Sequence, residues 1–162
     1  MTLSTTPISS PLAPAETKST GALLQEALTD LIDLSLIAKQ AHWNVVGRNF
    51  RSAHLQLDEL VTLSRGQMDE VAERAAALGI SPDGRARTVS TDSALPDFGE
   101  GYRNDRETVA AIVSTLDTAA GRMRSRIESA GKTDPVTEDM FIQITKDLEQ
   151  IRWMFQAQLA DH

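Results

Sequence analysis

Apolar residues recur at steps of three, four and seven through four stretches of this chain. In the first, about 22–46, Leu24, Leu28, Leu31, Ser35, Ala38 and His42 form one stripe, with Leu34 and Ile37 beside it. The second, about 49–78, carries Phe50, Leu57, Leu60, Val61, Met68, Val71, Ala75 and Leu78. The third, about 102–130, carries Val109, Ile112, Val113, Leu116, Ala120, Met123 and Ile127. The fourth, about 135–160, carries Met140, Ile144, Leu148, Ile151, Phe155 and Leu159. Such spacing collects the apolar side chains on one face of a helix, which then has to be buried against other helices. No stretch sustains the period of two that a half-buried strand needs.

The punctuation agrees with four helices. The prolines stand at Pro7, Pro11, Pro14, Pro82, Pro96 and Pro135, none of them inside a periodic run. Asn49 is placed to cap the second helix, and Asp134 followed by Pro135 is a cap and first-turn pair for the fourth. Gly47, Gly79 and Gly131 stand where helices should end. Residues 1–20 are rich in Ser, Thr and Pro and read as a mobile tail, leaving 21–162 as the folded domain. The first and second helices are joined by a few residues, as are the third and fourth, so each pair should form an antiparallel hairpin. The connection 79–101 is much longer, enough to run back along a ~40 Å helix and cross the bundle. An all-α bundle of four helices with one long crossover is the ferritin-like arrangement.

Composition narrows the chemistry. A chain of 162 residues, 41% hydrophobic, is one domain's worth. It has no cysteine, which excludes a disulfide scaffold, a cysteine-ligated zinc or iron–sulfur site and a thiol nucleophile. No apolar run approaches the ~20 residues of a membrane span, and the N-terminus lacks the pattern of a signal peptide, so cytoplasm is the expected compartment. Sixteen Lys and Arg against 23 Asp and Glu leave a net charge of -7. Such a surface attracts cations and repels phosphate, unlike that of a free-standing nucleic-acid binder.

Only three histidines are present: His42, His54 and the terminal His162. His54 and Asp58 are four apart and share a face of the second helix; Asp69 and Glu73 repeat the spacing farther along. All four border apolar positions, where a carboxylate needs a partner and a divalent metal is one. A single chain cannot bring both pairs to one ion, because Asp58 and Asp69 are about 16 Å apart along a helix axis. Two chains related by a two-fold axis can. The centre of the four positions falls between Leu63 and Ser64, and an antiparallel crossing there, eased by the small Ser64 and Gly66, would oppose one pair to the other twice over. Two imidazoles and three carboxylates suit iron, manganese or zinc. The Glu-x-x-His motif of an intrasubunit ferritin centre is absent, since Lys39 and Arg51 stand three residues before His42 and His54.

Residues 39–79, KQAHWNVVGRNFRSAHLQLDELVTLSRGQMDEVAERAAALG, resemble the Dps family, the DNA-binding proteins from starved cells or mini-ferritins. That family's intersubunit motif is a His, a second His twelve on, then Asp four on, Asp eleven on and Glu four on; His42, His54, Asp58, Asp69 and Glu73 match it. HWN around His42 and LDEL around Asp58 match too, and a weaker similarity runs through DLEQIRWMF, 147–155. The resemblance implies a protomer with a short helix in the 79–101 crossover and a homododecameric shell built from two-fold dimers. It implies that the five residues bind iron and carry a ferroxidase reaction, with hydrogen peroxide as the preferred oxidant of Fe²⁺ and oxygen as an alternative. The ferric product would be stored inside the shell, protecting the cell against oxidative stress. Which chain supplies His42 to the shared site stays open. Trp43 would intercept radicals or fill the dimer interface. Asp139 matches a position lining an iron-entry pore, with Asp134 and Glu138 nearby; the alternative for all three is complementing the start of a helix. The family's basic DNA-binding extension has no counterpart: residues 1–20 contain one Lys, Lys18, and the chain stops at Ala-Asp-His. Direct DNA binding is therefore doubtful. Two other functions stand beside the ferroxidase: a DNA-compacting structural protein, which would be nucleoid-associated in a bacterial cytoplasm, and a metal-dependent hydrolase of amide-type substrates.

Overall fold

The computed structural model of the chain describes residues 7–160. Four long helices dominate it: α1 (Pro14–Asn44), α2 (Phe50–Ala77), α4 (Asp105–Ala130) and α5 (Pro135–Gln156), with a short α3 (Ala86–Asp92) inside the long connection. A single 3₁₀ turn, Ala157–Leu159, follows α5. The hairpins are α1–α2 and α4–α5, and the crossover carrying α3 runs against α1. The architecture is thus the all-α ferritin-like bundle that the spacing predicts.

The stripes pack as one core. Leu24, Leu31 and Leu34 of α1, Leu57 and Leu60 of α2, Ile112, Leu116 and Met123 of α4, and Phe141, Ile144 and Phe155 of α5 are all buried. Burying a side chain of this size contributes about 1.5–3 kcal/mol, so these layers outweigh any single polar contact in holding the bundle. Phe50 departs from its stripe: it stands at the start of α2 and is exposed.

The helix ends show which local signals operate. At Gly79 the chain turns through φ 74°, and the amides of Gly79 and Ile80 donate to the carbonyls of Ala76 and Ala75, closing α2 with two reversed bonds. Gly131 remains in the right-handed helical region, so its place at the end of α4 does not depend on a glycine conformation. Asn49 precedes α2 but its side chain makes no cap bond. Its backbone N–H instead donates to Asp105 Oδ2 at 2.6 Å, across to the start of α4. Asn104 caps α4 by accepting from the Glu107 amide, and Asp134 caps α5 by accepting from the amides of Val136 and Thr137.

Two expectations change. Helix α1 begins at Pro14, so residues 14–20, assigned to the tail by composition, are helical. Pro14 occupies the first turn, Glu16 accepts from the Ala13 amide, and Thr20 is buried with its hydroxyl 2.9 Å from that of Thr133. Residues 1–6 lie outside those described, as does His162. A two-residue parallel pairing also links Val45–Val46 to Arg103–Asn104, tying the α1–α2 turn to the entry of α4. Gly47 lies under this junction at φ 130°, where a Cβ would meet the Asp105 carboxylate at 2.8 Å. The crossover is held by Gln25, whose side-chain amide donates to the Asp83 carbonyl and accepts from the Asp83 N–H, each at 2.9 Å.

Candidate metal centre

The tight α1–α2 turn brings the last turn of α1 against the first turn of α2, and with it His42 against His54. The two imidazoles stack with centroids 3.6 Å apart and planes at 22°. His42 Nδ1 lies 2.8 Å from the His54 carbonyl oxygen and His54 Nδ1 lies 2.9 Å from the His42 carbonyl oxygen. A carbonyl can only accept, so both Nδ1 atoms carry hydrogen. In a neutral imidazole this leaves the lone pair on Nε2, the atom a metal takes. Backbone carbonyls commonly orient metal-binding histidines in this way. His42 is buried, and the ring of Phe50 flanks His54 at 4.9 Å.

Asp58 joins the same patch. Its Oδ1 is 3.8 Å from His42 Nδ1 and 2.5 Å from the ammonium of Lys39. The hydrogen bond from Lys39 holds the Asp58 carboxyl below its ordinary range; desolvation opposes this, and the nearby His42, Lys39 and His54 add to the lowering. His42, His54 and Asp58 therefore lie near one another on one chain, His42 beside His54. Lys39 did not emerge from the sequence as a member of the site, although its position three residues before His42 places it on the same face of α1.

Asp69 and Glu73 lie farther along the unbroken α2, about 16 and about 22 Å from Asp58 along the axis. At ~100° per residue, Asp58, Thr62, Arg65, Asp69 and Glu73 fall on one side of the helix. Asp69 and Glu73 are exposed, and neither carboxylate has a hydrogen-bond or ion-pair partner among the described residues. Within one chain, no group of three or more His, Cys, Asp or Glu side chains among the described residues could hold a metal ion. The suggested crossing residues divide. Gly66 is open, with nothing within 4 Å of where a Cβ would stand. Ser64 is wholly buried in its own bundle, its hydroxyl donating to the Leu60 carbonyl at 2.8 Å, so it does not face a second helix 2.

Trp43 points outward, 64% exposed, with the Lys39 ammonium 5.9 Å from its ring centre. Leu36, seven residues earlier on α1, is exposed on the same side. Of the three suggested pore residues, Asp134 is buried and fully engaged. It pairs with Arg74 Nη2 at 2.6 Å, accepts from the Thr137 hydroxyl and caps α5. Burial pushes its carboxyl up, but Arg74 and Thr137 more than offset this and hold it below the ordinary carboxylate range. A carboxylate so committed serves as a helix cap, the alternative that the sequence offered for it. Glu138 is partly buried in the first turn of α5, and Asp139 is exposed with no partner among the described residues.

Comparison with known proteins places this geometry. A family profile for the ferritin-like domain matches residues 21–162. The chain is 39% identical over 141 residues to a DNA protection during starvation protein of Mycolicibacterium smegmatis, covering 85% of this chain and 75% of the relative. It is 31% identical over 150 residues to the protein of the same name from Agrobacterium fabrum, covering 91% and 93%. A fine tangled pili major subunit of Haemophilus ducreyi is 35% identical over 150 residues, covering 90% and 79%. Among solved structures, Mycobacterium smegmatis Dps in a tetragonal form superposes with a TM-score of 0.90 at 34% identity, covering 93% of each chain. DpsA14 from Streptomyces coelicolor superposes with a TM-score of 0.91 at 33% identity, covering 96% of this chain and 93% of that one. This chain belongs to the Dps family of ferritin-like proteins.

Proposed function

We propose that this protein is a ferroxidase and iron store that converts Fe²⁺ to a ferric mineral within a homododecamer, using peroxide or oxygen, in the bacterial cytoplasm. One observation carries the reading: the reciprocal His42–His54 bonds occupy both Nδ1 atoms and leave both Nε2 lone pairs free, with Asp58 Oδ1 3.8 Å from His42 Nδ1, while Asp69 and Glu73 stand unpartnered among the described residues on the same side of α2. Neither half is a complete site. Opposed across a two-fold axis, they supply two nitrogen donors and three carboxylates. Imidazole suits Fe²⁺ and carboxylate stabilises the Fe³⁺ that forms, so one ligand set serves substrate and product. Hydrogen peroxide accepts one electron from each of two Fe²⁺ and with two protons becomes two waters. A single Fe²⁺ would instead release hydroxyl radical, so a site drawing on two irons protects the cell. The acidic net charge of -7 draws Fe²⁺ toward the protein.

The test is anaerobic loading with Fe²⁺ followed by peroxide, recording ferric absorbance and particle mass together. Two Fe²⁺ should be consumed per peroxide, with the iron retained in a particle of twelve chains. Ferric iron that precipitates free of the protein, at the rate seen in buffer, would contradict the reading.

A further inference from the structure

Helices α1 and α4 meet over a buried cluster that the metal centre does not use. Asp30 and Arg126 are each only 2–3% exposed. Arg126 Nη2 donates to Asp30 Oδ2 at 2.5 Å, and Arg122 Nε donates to the same oxygen at 2.8 Å. The remaining valences are idle. Arg126 Nε and Nη1 and Asp30 Oδ1 are enclosed without any hydrogen-bond partner. Buried guanidinium donors are ordinarily satisfied, so two idle ones on one side chain call for a ligand or solvent. A pocket of about 220 Å³ opens at this place, lined by Leu23, Glu26, Arg122, Ser125, Arg126 and Ser129.

The charges say what the pocket prefers. Asp30 bonds both guanidinium groups but offsets only one of their two positive charges. Arg126 also faces Glu26, whose side chain is 58% exposed and whose Oε2 is 3.6 Å from Arg126 Nε, beyond hydrogen-bonding distance. Glu26 is thus a tethered carboxylate that neutralises the site without satisfying it. An untethered anion that displaces it into solvent can approach closely enough to bond. Guanidinium forks match tetrahedral oxyanions in spacing and charge, and Ser125 and Ser129 add hydroxyls to the rim. We propose that the α1–α4 pocket binds free inorganic phosphate, held by Arg126 and Arg122, with Glu26 as the built-in competitor that leaves as phosphate enters. A nucleic-acid backbone is disfavoured, because the pocket is small and the chain around it is acidic.

Equilibrium dialysis of the iron-free assembled protein against labelled phosphate, at constant ionic strength, tests this. Wild type should take up phosphate saturably, near one per chain. Glu26→Gln removes the competing charge and should tighten binding about threefold or more, while Arg122→Gln removes a charged donor and should weaken it about tenfold. Arg122 is a third exposed, so its loss leaves the fold intact, which circular dichroism checks. Three results would overturn the assignment: no saturable uptake by wild type up to about 10 mM, at which only water fills the pocket; identical affinities in both variants and wild type; or stoichiometric displacement of phosphate by a short DNA duplex.

Discussion

His42 and His54 each donate Nδ1–H to the other's backbone carbonyl, at 2.8 and 2.9 Å, across the α1–α2 turn. The same two bonds lock the hairpin and fix the tautomer, so the structural role and the proposed ligand role meet in one pair of side chains. Substitution separates them. Alanine at 54 removes the donor to the His42 carbonyl and should cost about 1–3 kcal/mol, the penalty of a polar group left unpaired. Asparagine can place an amide N–H near the former Nδ1 but has nothing at Nε2. His54→Asn should regain most of the stability, measured by urea unfolding at one protein concentration, and none of the iron oxidation. Oxidation at the wild-type rate by His54→Asn would remove Nε2 from the ligand set.

The Asp134–Arg74 pair joins the start of α5 to α2, with Asp134 buried and Arg74 mostly so. Because the folded carboxyl is held below the ordinary carboxylate range, it contributes stability above the unfolded value, and the contribution is lost as pH falls through the lower folded value. Asp134→Asn keeps an N-cap oxygen but loses the charge. Near neutral pH it should be less stable than wild type by about 1–3 kcal/mol, with the gap closing as pH falls below the ordinary carboxylate range and through the lowered folded value. Denaturant titrations across that range check it; a gap of constant size would show that the ion pair contributes nothing.

Plasmid DNA should not shift in a gel at ~150 mM salt without divalent cations, where weak phosphate contacts are largely screened. The basis is the net charge of -7 and the single lysine in residues 1–20. A clear shift under those conditions would restore the DNA-compacting reading.

The long helices and the crossover were legible because each buries a stripe with a strong 3.6-residue period. What escaped was local or distant. Pro14 and Glu16 start α1 inside a segment whose Ser, Thr and Pro content reads as loose chain. The Val45–Val46 pairing with Arg103–Asn104 is too short to leave a period. Ser64 looked like a contact residue because it is small and polar, yet its hydroxyl bonds one turn back and it packs as an apolar side chain would. At the metal centre, spacing along α2 separated the 54/58 pair from the 69/73 pair. Grouping His42 with His54 and Lys39 with Asp58 needed the hairpin geometry, which joins positions twelve and nineteen apart. Asp30 belongs to no motif that would single it out in the sequence. Its partners Arg122 and Arg126, four apart on α4, were the available signal that an acid lay opposite them.

The central claim is that one iron site draws on two chains, and mixing two inactive variants tests it most directly. Asp58→Asn should disable the histidine side of every site and Glu73→Gln the carboxylate side, each leaving the shell intact because the leucine stripes hold the fold. In a two-fold dimer made of one chain of each kind, both defects fall in one site and the other site is wild type. Random assembly of equal amounts makes half the dimers mixed, so the mixture should recover about a quarter of wild-type oxidation. Mixed shells, verified by mass, that recover none of it would contradict a site shared between chains.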